Sequence, residues 1–197
     1  MMTIQSLDAQ LLLLINHGTA NPLFDVLMPA LSAKGYLLVL PFLLYLVLSS
    51  IDGKNTPEKK YLPLAISTVV ICCFAVFLAA WAVDELKSIA ERERPCRTIE
   101  GIRLITSCPQ SWSMPSSHAA TSFAFVAPIL FLIGNRITRF WRLFLLVLAT
   151  LVAFSRMYMG VHYPTDVLAG ALLGTAIGMA LSIVGLMVVT RCCKGEK

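Results

Sequence analysis

Apolar positions in this chain run in long unbroken stretches, where the helices of a soluble protein would alternate with polar positions. A bilayer crossing needs about 20 residues of helix. Five stretches approach or exceed that length: residues 36–51, 61–83, 119–133, 144–159 and 167–190. The first, third and fourth are short, and need flanking residues or a locally thinned bilayer to span. Residues 1–33 follow a different pattern. Ile4, Leu7, Leu11, Leu14 and Ile15 recur at helical spacing, but the unbroken run 11–15 is too short to cross. No basic segment precedes it, so a cleaved signal peptide is not expected. Asn21-Pro22 reads as a helix start, and Leu23, Val26, Leu27 and Leu31 make a second apolar stripe. The pattern predicts two amphipathic helices lying on the membrane surface, with a re-entrant hairpin as the alternative. The expected fold is all-α: an integral membrane bundle of about five transmembrane helices. It forms one domain over 1–197, with interfacial helices at 1–33, a transmembrane core at 36–190 and an outer linker at 84–117.

Composition agrees. The 197 residues are 57% hydrophobic and 14% charged, with mean hydropathy +0.77. Soluble domains are roughly 45–50% apolar and about 25% charged. These values exclude a soluble globule, a disordered chain and a disulfide-dense secreted scaffold. Charge gives the orientation. Lys54, Lys59, Lys60, Arg136, Arg139, Arg142, Arg191, Lys194 and Lys197 all fall on one side of five alternating crossings, and cytoplasmic loops favour Lys and Arg. The other seven basic residues, Lys34, Lys87, Arg92, Arg94, Arg97, Arg103 and Arg156, fall on the opposite side and need a separate explanation.

That outer side receives the 84–117 linker and the 160–166 turn. The linker carries Lys87, Arg94-Pro95 and Pro115-Ser116-Ser117-His118; the fourth span ends in Ser155-Arg156, and the turn carries His162 and Asp166. Thirty residues of connection in so small a protein are more often functional than idle. Ionisable groups at membrane boundaries likewise tend to mark a site. Three cations, two imidazoles and one carboxylate suit a phosphate ester, which carries about −1.5 to −2 charges at neutral pH. A helix starting near Ser116 and Ser117 would add backbone N–H donors.

Lys87-x6-Arg94-Pro95, Pro115-Ser116-Ser117-His118 and Ser155-Arg156-x5-His162-x3-Asp166 resemble the three signature motifs of the type 2 phosphatidic acid phosphatase superfamily, which also contains soluble acid phosphatases and vanadium haloperoxidases. The resemblance covers about residues 80–190. The family usually has glycine where Ser117 stands; a positive φ there would strain a serine. The resemblance implies a phosphatase working through a phosphohistidine. His162 would be the nucleophile and Asp166 would orient its other ring nitrogen. His118 would be general acid, then base. Lys87, Arg94, Arg156, Ser116 and Ser117 would hold the phosphoryl oxygens.

No cofactor and no metal are implied, since the outer face offers no acidic cluster at ligand spacing. The expected partners are the bilayer and a lipid phosphate, with no nucleic acid. Among bacterial relatives the candidate substrates are undecaprenyl diphosphate, which we favour, phosphatidylglycerophosphate, phosphatidic acid and lipid A 1-phosphate. A lipid phosphotransferase on the same intermediate and a non-catalytic lipid-binding module are the rival activities. The expected location is the inner (plasma) membrane, with the site facing the periplasm or exterior. His17 reads as structural, and Arg92, Arg97 and Arg103 read as rim charges. Cys72 and Cys73 read as packing residues, Cys192 and Cys193 as an unmodified pair or palmitoylation sites. Cys96 and Cys108 share the outer linker; they either stay free or bridge in an oxidising compartment, closing a loop worth ~3 kcal/mol.

Overall fold

The structure, a computed structural model, describes residues 4–51 and 61–194. These residues form helices: α1 (Ile4–Gly18), α2 (Pro22–Lys34), a 3-10 turn (Gly35–Val39), α3 (Leu40–Ile51), α4 (Tyr61–Ala90), α5 (Pro95–Thr98), α6 (Ser117–Ile133), α7 (Arg139–Tyr158) and α8 (Pro164–Lys194). The predicted all-α membrane bundle is what is found. Four helical stretches, Pro22–Ser49, Leu64–Thr98, Arg139–Tyr158 and Pro164–Met187, are long and apolar enough to cross, and Ser117–Ile133 is a shorter apolar helix. The protein is a multi-pass membrane protein. Lys54, Lys59, Lys60 and Lys197 lie outside the described residues, as do the side chains of Arg191, Cys192, Cys193 and Lys194.

One boundary differs from the sequence reading. No loop separates the second predicted surface helix from the first span. Asn21 caps the helix by accepting the Phe24 amide at 2.9 Å, Pro22 starts it, and the chain stays helical through Pro29 and the 3-10 turn into α3. Gly35 and Pro29 look like breakers in isolation. Here Gly35 is buried close to α7, where a Cβ would sit 3.2 Å from a methyl group of Val152.

α6 is the central helix, packed against α4, α7 and α8. Lipid tails are as apolar as leucine, so membrane helices associate by close packing of small residues. Ala75, Ala79, Ala120 and Ala124 form the α4–α6 seam, with Leu173 and Ile177 of α8 against it. Gly170, Gly174 and Gly178 let α8 approach α6 backbone to backbone.

This packing brings three chain ends together. α4 stops at Glu91, whose φ of +42° turns the chain out of the helix. α6 begins at Ser116, whose amide donates to the Asp166 carbonyl at 2.9 Å. α7 ends in a tight turn at Gly160, where φ is +75° and a Cβ would lie 2.9 Å from the Arg103 carbonyl oxygen. Only glycine fits that conformation and that space. The turn returns the chain so that His162 meets Arg94 and the Asp166 carboxylate meets Arg92 and Ser113. The Cys96–Cys108 disulfide closes the intervening linker.

Candidate active site

The sequence-predicted residues meet at this end of the bundle. His162 is 2% exposed and sits between Arg94 and Asp166. Its Nε2 lies 3.0 Å from Nη1 of Arg94. A guanidinium can only donate, so Nε2 accepts and the ring proton resides on Nδ1. Nδ1 faces Oδ2 of Asp166 at 3.5 Å, an electrostatic contact rather than a formed hydrogen bond, and has no hydrogen-bond partner. Oδ2 is already engaged by the Ser113 hydroxyl at 2.5 Å and the Tyr163 amide at 2.9 Å. Burial pushes the His162 imidazole down to about 4; Asp166 opposes that shift, and the charges of Arg94 and Arg156 add to it.

Arg94 directs every N–H it has. Nε donates to the Ser111 carbonyl at 2.7 Å, Nη2 to the Ser111 hydroxyl at 3.0 Å and the Trp112 carbonyl at 3.1 Å. Nη1 donates to the Val161 carbonyl at 2.9 Å and to His162. The linker therefore fixes this guanidinium over Nε2. Lys87, buried in the last turn of α4, donates to the Ser117 hydroxyl at 2.9 Å. Ser117 has ordinary helical backbone: Glu91 is the one non-glycine residue with positive φ among those described, so the anticipated strain is absent. The serine instead supplies an oxygen for Lys87.

Arg156 is buried at the end of α7 and donates from Nη1 to the Ser32 hydroxyl. His118, in the first turn of α6, interacts with the Ser32 backbone and lies within electrostatic range of Arg156, Lys87 and Arg94. Among the described residues, four buried side-chain polar atoms lack a partner: Ser116 Oγ, Arg156 Nε, His162 Nδ1 and Arg142 Nε. The first three stand at this site. A buried polar atom without a partner costs roughly 1–3 kcal/mol, so each of these calls for a water, an ion or a bound group to complete it.

An apolar cavity of about 610 Å³ leads away from the same place. His118, Thr121 and Ser32 line one end, and Phe125, Leu145 and Leu43 line it further along α6, α7 and α3. Among the described residues, no group of three or more His, Cys, Asp or Glu is placed to hold a metal ion.

Several charged residues around the site have partners that the sequence does not display. Arg92 is not a rim charge: it pairs with Asp166 and with Asp8, both at 2.6 Å. Arg103 is likewise committed, to Asp25 and the Tyr158 hydroxyl, while Asn16 brackets it by accepting its amide at 2.8 Å and donating to its carbonyl at 2.9 Å. Arg97 braces the linker through the Pro109 and Gln110 carbonyls. His17 is structural, its Nε2 lying 3.1 Å from the Gly101 carbonyl oxygen. Asp8, Asn16 and Ser32 are polar residues within apolar stripes; Asp8 and Asn16 are buried and Ser32 is half-buried, which sequence does not display.

The site thus gathers cations, imidazoles and one carboxylate at the edge of a helical membrane bundle. Residues 68–188 match the PAP2 superfamily, and the chain belongs to it. The lipid A 4'-phosphatase of Bacteroides thetaiotaomicron is 28% identical over 174 residues, 87% of this chain and 73% of that protein. The undecaprenyl-diphosphatase of Sulfolobus acidocaldarius is 30% identical over 120 residues, 60% of this chain and 54% of that protein. The crystal structure of Aquifex aeolicus LpxE superposes with a TM-score of 0.68 at 27% identity, covering 91% of this chain and 98% of that one. The protein is a membrane lipid phosphatase.

Proposed function

We propose that the chain removes a phosphoryl group from a lipid phosphate or diphosphate through a phosphohistidine at His162, without a metal, and that undecaprenyl diphosphate is its substrate. The observation that carries the mechanism is the tautomer: Arg94 at 3.0 Å makes Nε2 a lone-pair donor toward the cation cluster, with Asp166 behind Nδ1. Nε2 attacks phosphorus as the bond from phosphorus to the leaving oxygen breaks, and His118 gives that oxygen its proton. His118 then takes a proton from water, whose oxygen attacks phosphorus; the N–P bond breaks and inorganic phosphate leaves. Arg94, Arg156, Lys87, Ser116 Oγ and the amides at the start of α6 stabilise the charge on the phosphoryl oxygens. Arg94 binds by trading its contact with Nε2 for one with the substrate.

The apolar cavity ending at His118 supports a substrate whose hydrocarbon lies between helices while its phosphate meets the imidazoles. The Sulfolobus relative, an undecaprenyl-diphosphatase at 30% identity, favours a polyprenyl diphosphate. A lipid A phosphate is the second reading, favoured by the Bacteroides relative, which aligns with 87% of this chain. We place the site on the periplasmic or exterior face, as the basic inner loops suggest.

The test is turnover of undecaprenyl diphosphate, lipid A, phosphatidylglycerophosphate and phosphatidic acid by the purified chain and by His162→Ala, with labelled substrate quenched in alkali to trap a phosphoramidate. Label should be retained by wild type and absent from His162→Ala. Equal phosphate release by both proteins would refute the mechanism, and preference for lipid A would replace the substrate.

A further inference from the structure

The family match begins at residue 68, yet the carboxylate behind His162 is held from residue 8. Asp8 lies in α1 with its side chain 2% exposed, and it is one end of a closed ring of hydrogen bonds. Its Oδ2 accepts from Nη2 of Arg92 at 2.6 Å. Nη1 of the same guanidinium donates to Oδ1 of Asp166 at 2.6 Å and to the Thr165 hydroxyl at 2.7 Å. Asp8 closes the ring by accepting the Thr165 amide at 3.0 Å and the Thr165 hydroxyl. The guanidinium stacks 4.0 Å above the Tyr163 ring, which holds its plane.

An arginine facing a single carboxylate tends to grip both oxygens with both arms of its fork. Here the fork is divided. Nη2 goes to Asp8, so Arg92 meets Asp166 through Oδ1 alone. Oδ2, the oxygen facing Nδ1 of His162, is left to Ser113 and the Tyr163 amide. We infer that Asp8 is a positioning residue for the reaction: by holding Nη2 it keeps Arg92 off Oδ2 and keeps that oxygen turned toward the imidazole. This rests on the reading of His162 as nucleophile. Without Asp8, Arg92 closes on both oxygens of Asp166, turns the carboxylate, and takes from Nδ1 the negative charge that supports the loaded ring.

The test uses the full chain in detergent, with undecaprenyl diphosphate and dioctanoyl phosphatidic acid as probes and rates per mole of monodisperse protein. Asp8→Asn should lower kcat by about 10- to 100-fold with KM unchanged, the scale of a slightly misplaced group. Asp8→Glu should restore most of it. Asp25→Asn cuts the other N-terminal ion pair, to Arg103, without touching Asp166. It should lower the melting temperature and leave kcat within about twofold of wild type. Equal kcat losses in Asp8→Asn and Asp25→Asn, a loss confined to KM, or normal kcat in Asp8→Asn overturns the inference. Should Asp8→Asn not fold, Arg92→Lys is read the same way: a single ammonium nitrogen has no rigid fork whose two arms are fixed on Asp8 and on Oδ1 of Asp166, so kcat should fall at constant KM, and unchanged kcat overturns the inference. His162→Ala separates the two levels. Turnover in that variant refutes the nucleophile assignment itself, whereas an inactive His162→Ala beside a normal Asp8→Asn refutes only the role given to Asp8.

Discussion

Replacing Gly174 with alanine adds one methyl group, eight residues along α8 from Asp166. That Cβ would sit 2.0 Å from the Ala120 carbonyl oxygen, 2.8 Å from its carbon and 2.9 Å from the Ala124 amide nitrogen. All three are backbone atoms of the central helix, so no side-chain rotation relieves the clash. Ordinary contact begins near 3.4 Å, so α8 must retreat from α6 by roughly 1 Å or more, an overpacking that costs about 1–3 kcal/mol. The retreat separates the helix carrying Asp166 from the helix carrying Ser116 and His118. A misplacement of about 1 Å costs on the order of 10²-fold in rate. Gly174→Ala should therefore lower both the melting temperature in detergent and kcat for phosphate release, although the methyl touches no site residue. Gly185→Ala is the matched control: its Cβ meets only the Cδ1 end of Ile71, at 2.8 Å, which can rotate away. Wild-type kcat and melting temperature in Gly174→Ala would show that α6 and α8 are not held backbone to backbone, and the account of how the site is assembled would fail with them.

Three further outcomes follow from the site. Protonation removes the lone pair of His162, so kcat/KM should stay level on this group's account near neutrality and fall tenfold per pH step below about 4; an acid limb near 6.5 would contradict the effect of burial. Phosphate release should persist in EDTA and be blocked by vanadate, and loss of turnover on chelation, restored by Mg²⁺, would refute the metal-free mechanism. Replacing Cys96 and Cys108 with serine should remove up to about 3 kcal/mol of stability and raise KM, because the closed linker supplies Ser111 and Trp112 to Arg94; an unchanged melting curve and KM would refute that coupling.

The residues legible in the sequence are those whose spacing is itself the geometry. His162 and Asp166 are four apart across a turn into a helix, and Arg94 precedes a proline that starts one. The five apolar stretches were legible because membrane solvation acts on long runs. What escaped is what depends on distant packing. Arg92 and Arg103 read as solvated charges, since nothing local announces carboxylates 84 and 78 residues away in the N-terminal helices. Ser32 sits in an apolar stripe, and its contact with Arg156 spans 124 residues. The junction near residue 35 reads as a boundary between a surface helix and a span, whereas the chain stays helical across it, with Gly35 packed against Val152 of α7.

The groove that ends at His118 carries a kinetic consequence. A reactant confined to a sheet reaches it sideways, at a rate set by crowding within that sheet and not by volume in a tube. The two products then part company, the spent oil remaining in the film and the freed mineral ion dispersing into water. Diluting the reactant with inert detergent at fixed total concentration should therefore slow the enzyme, and its rate law is two-dimensional.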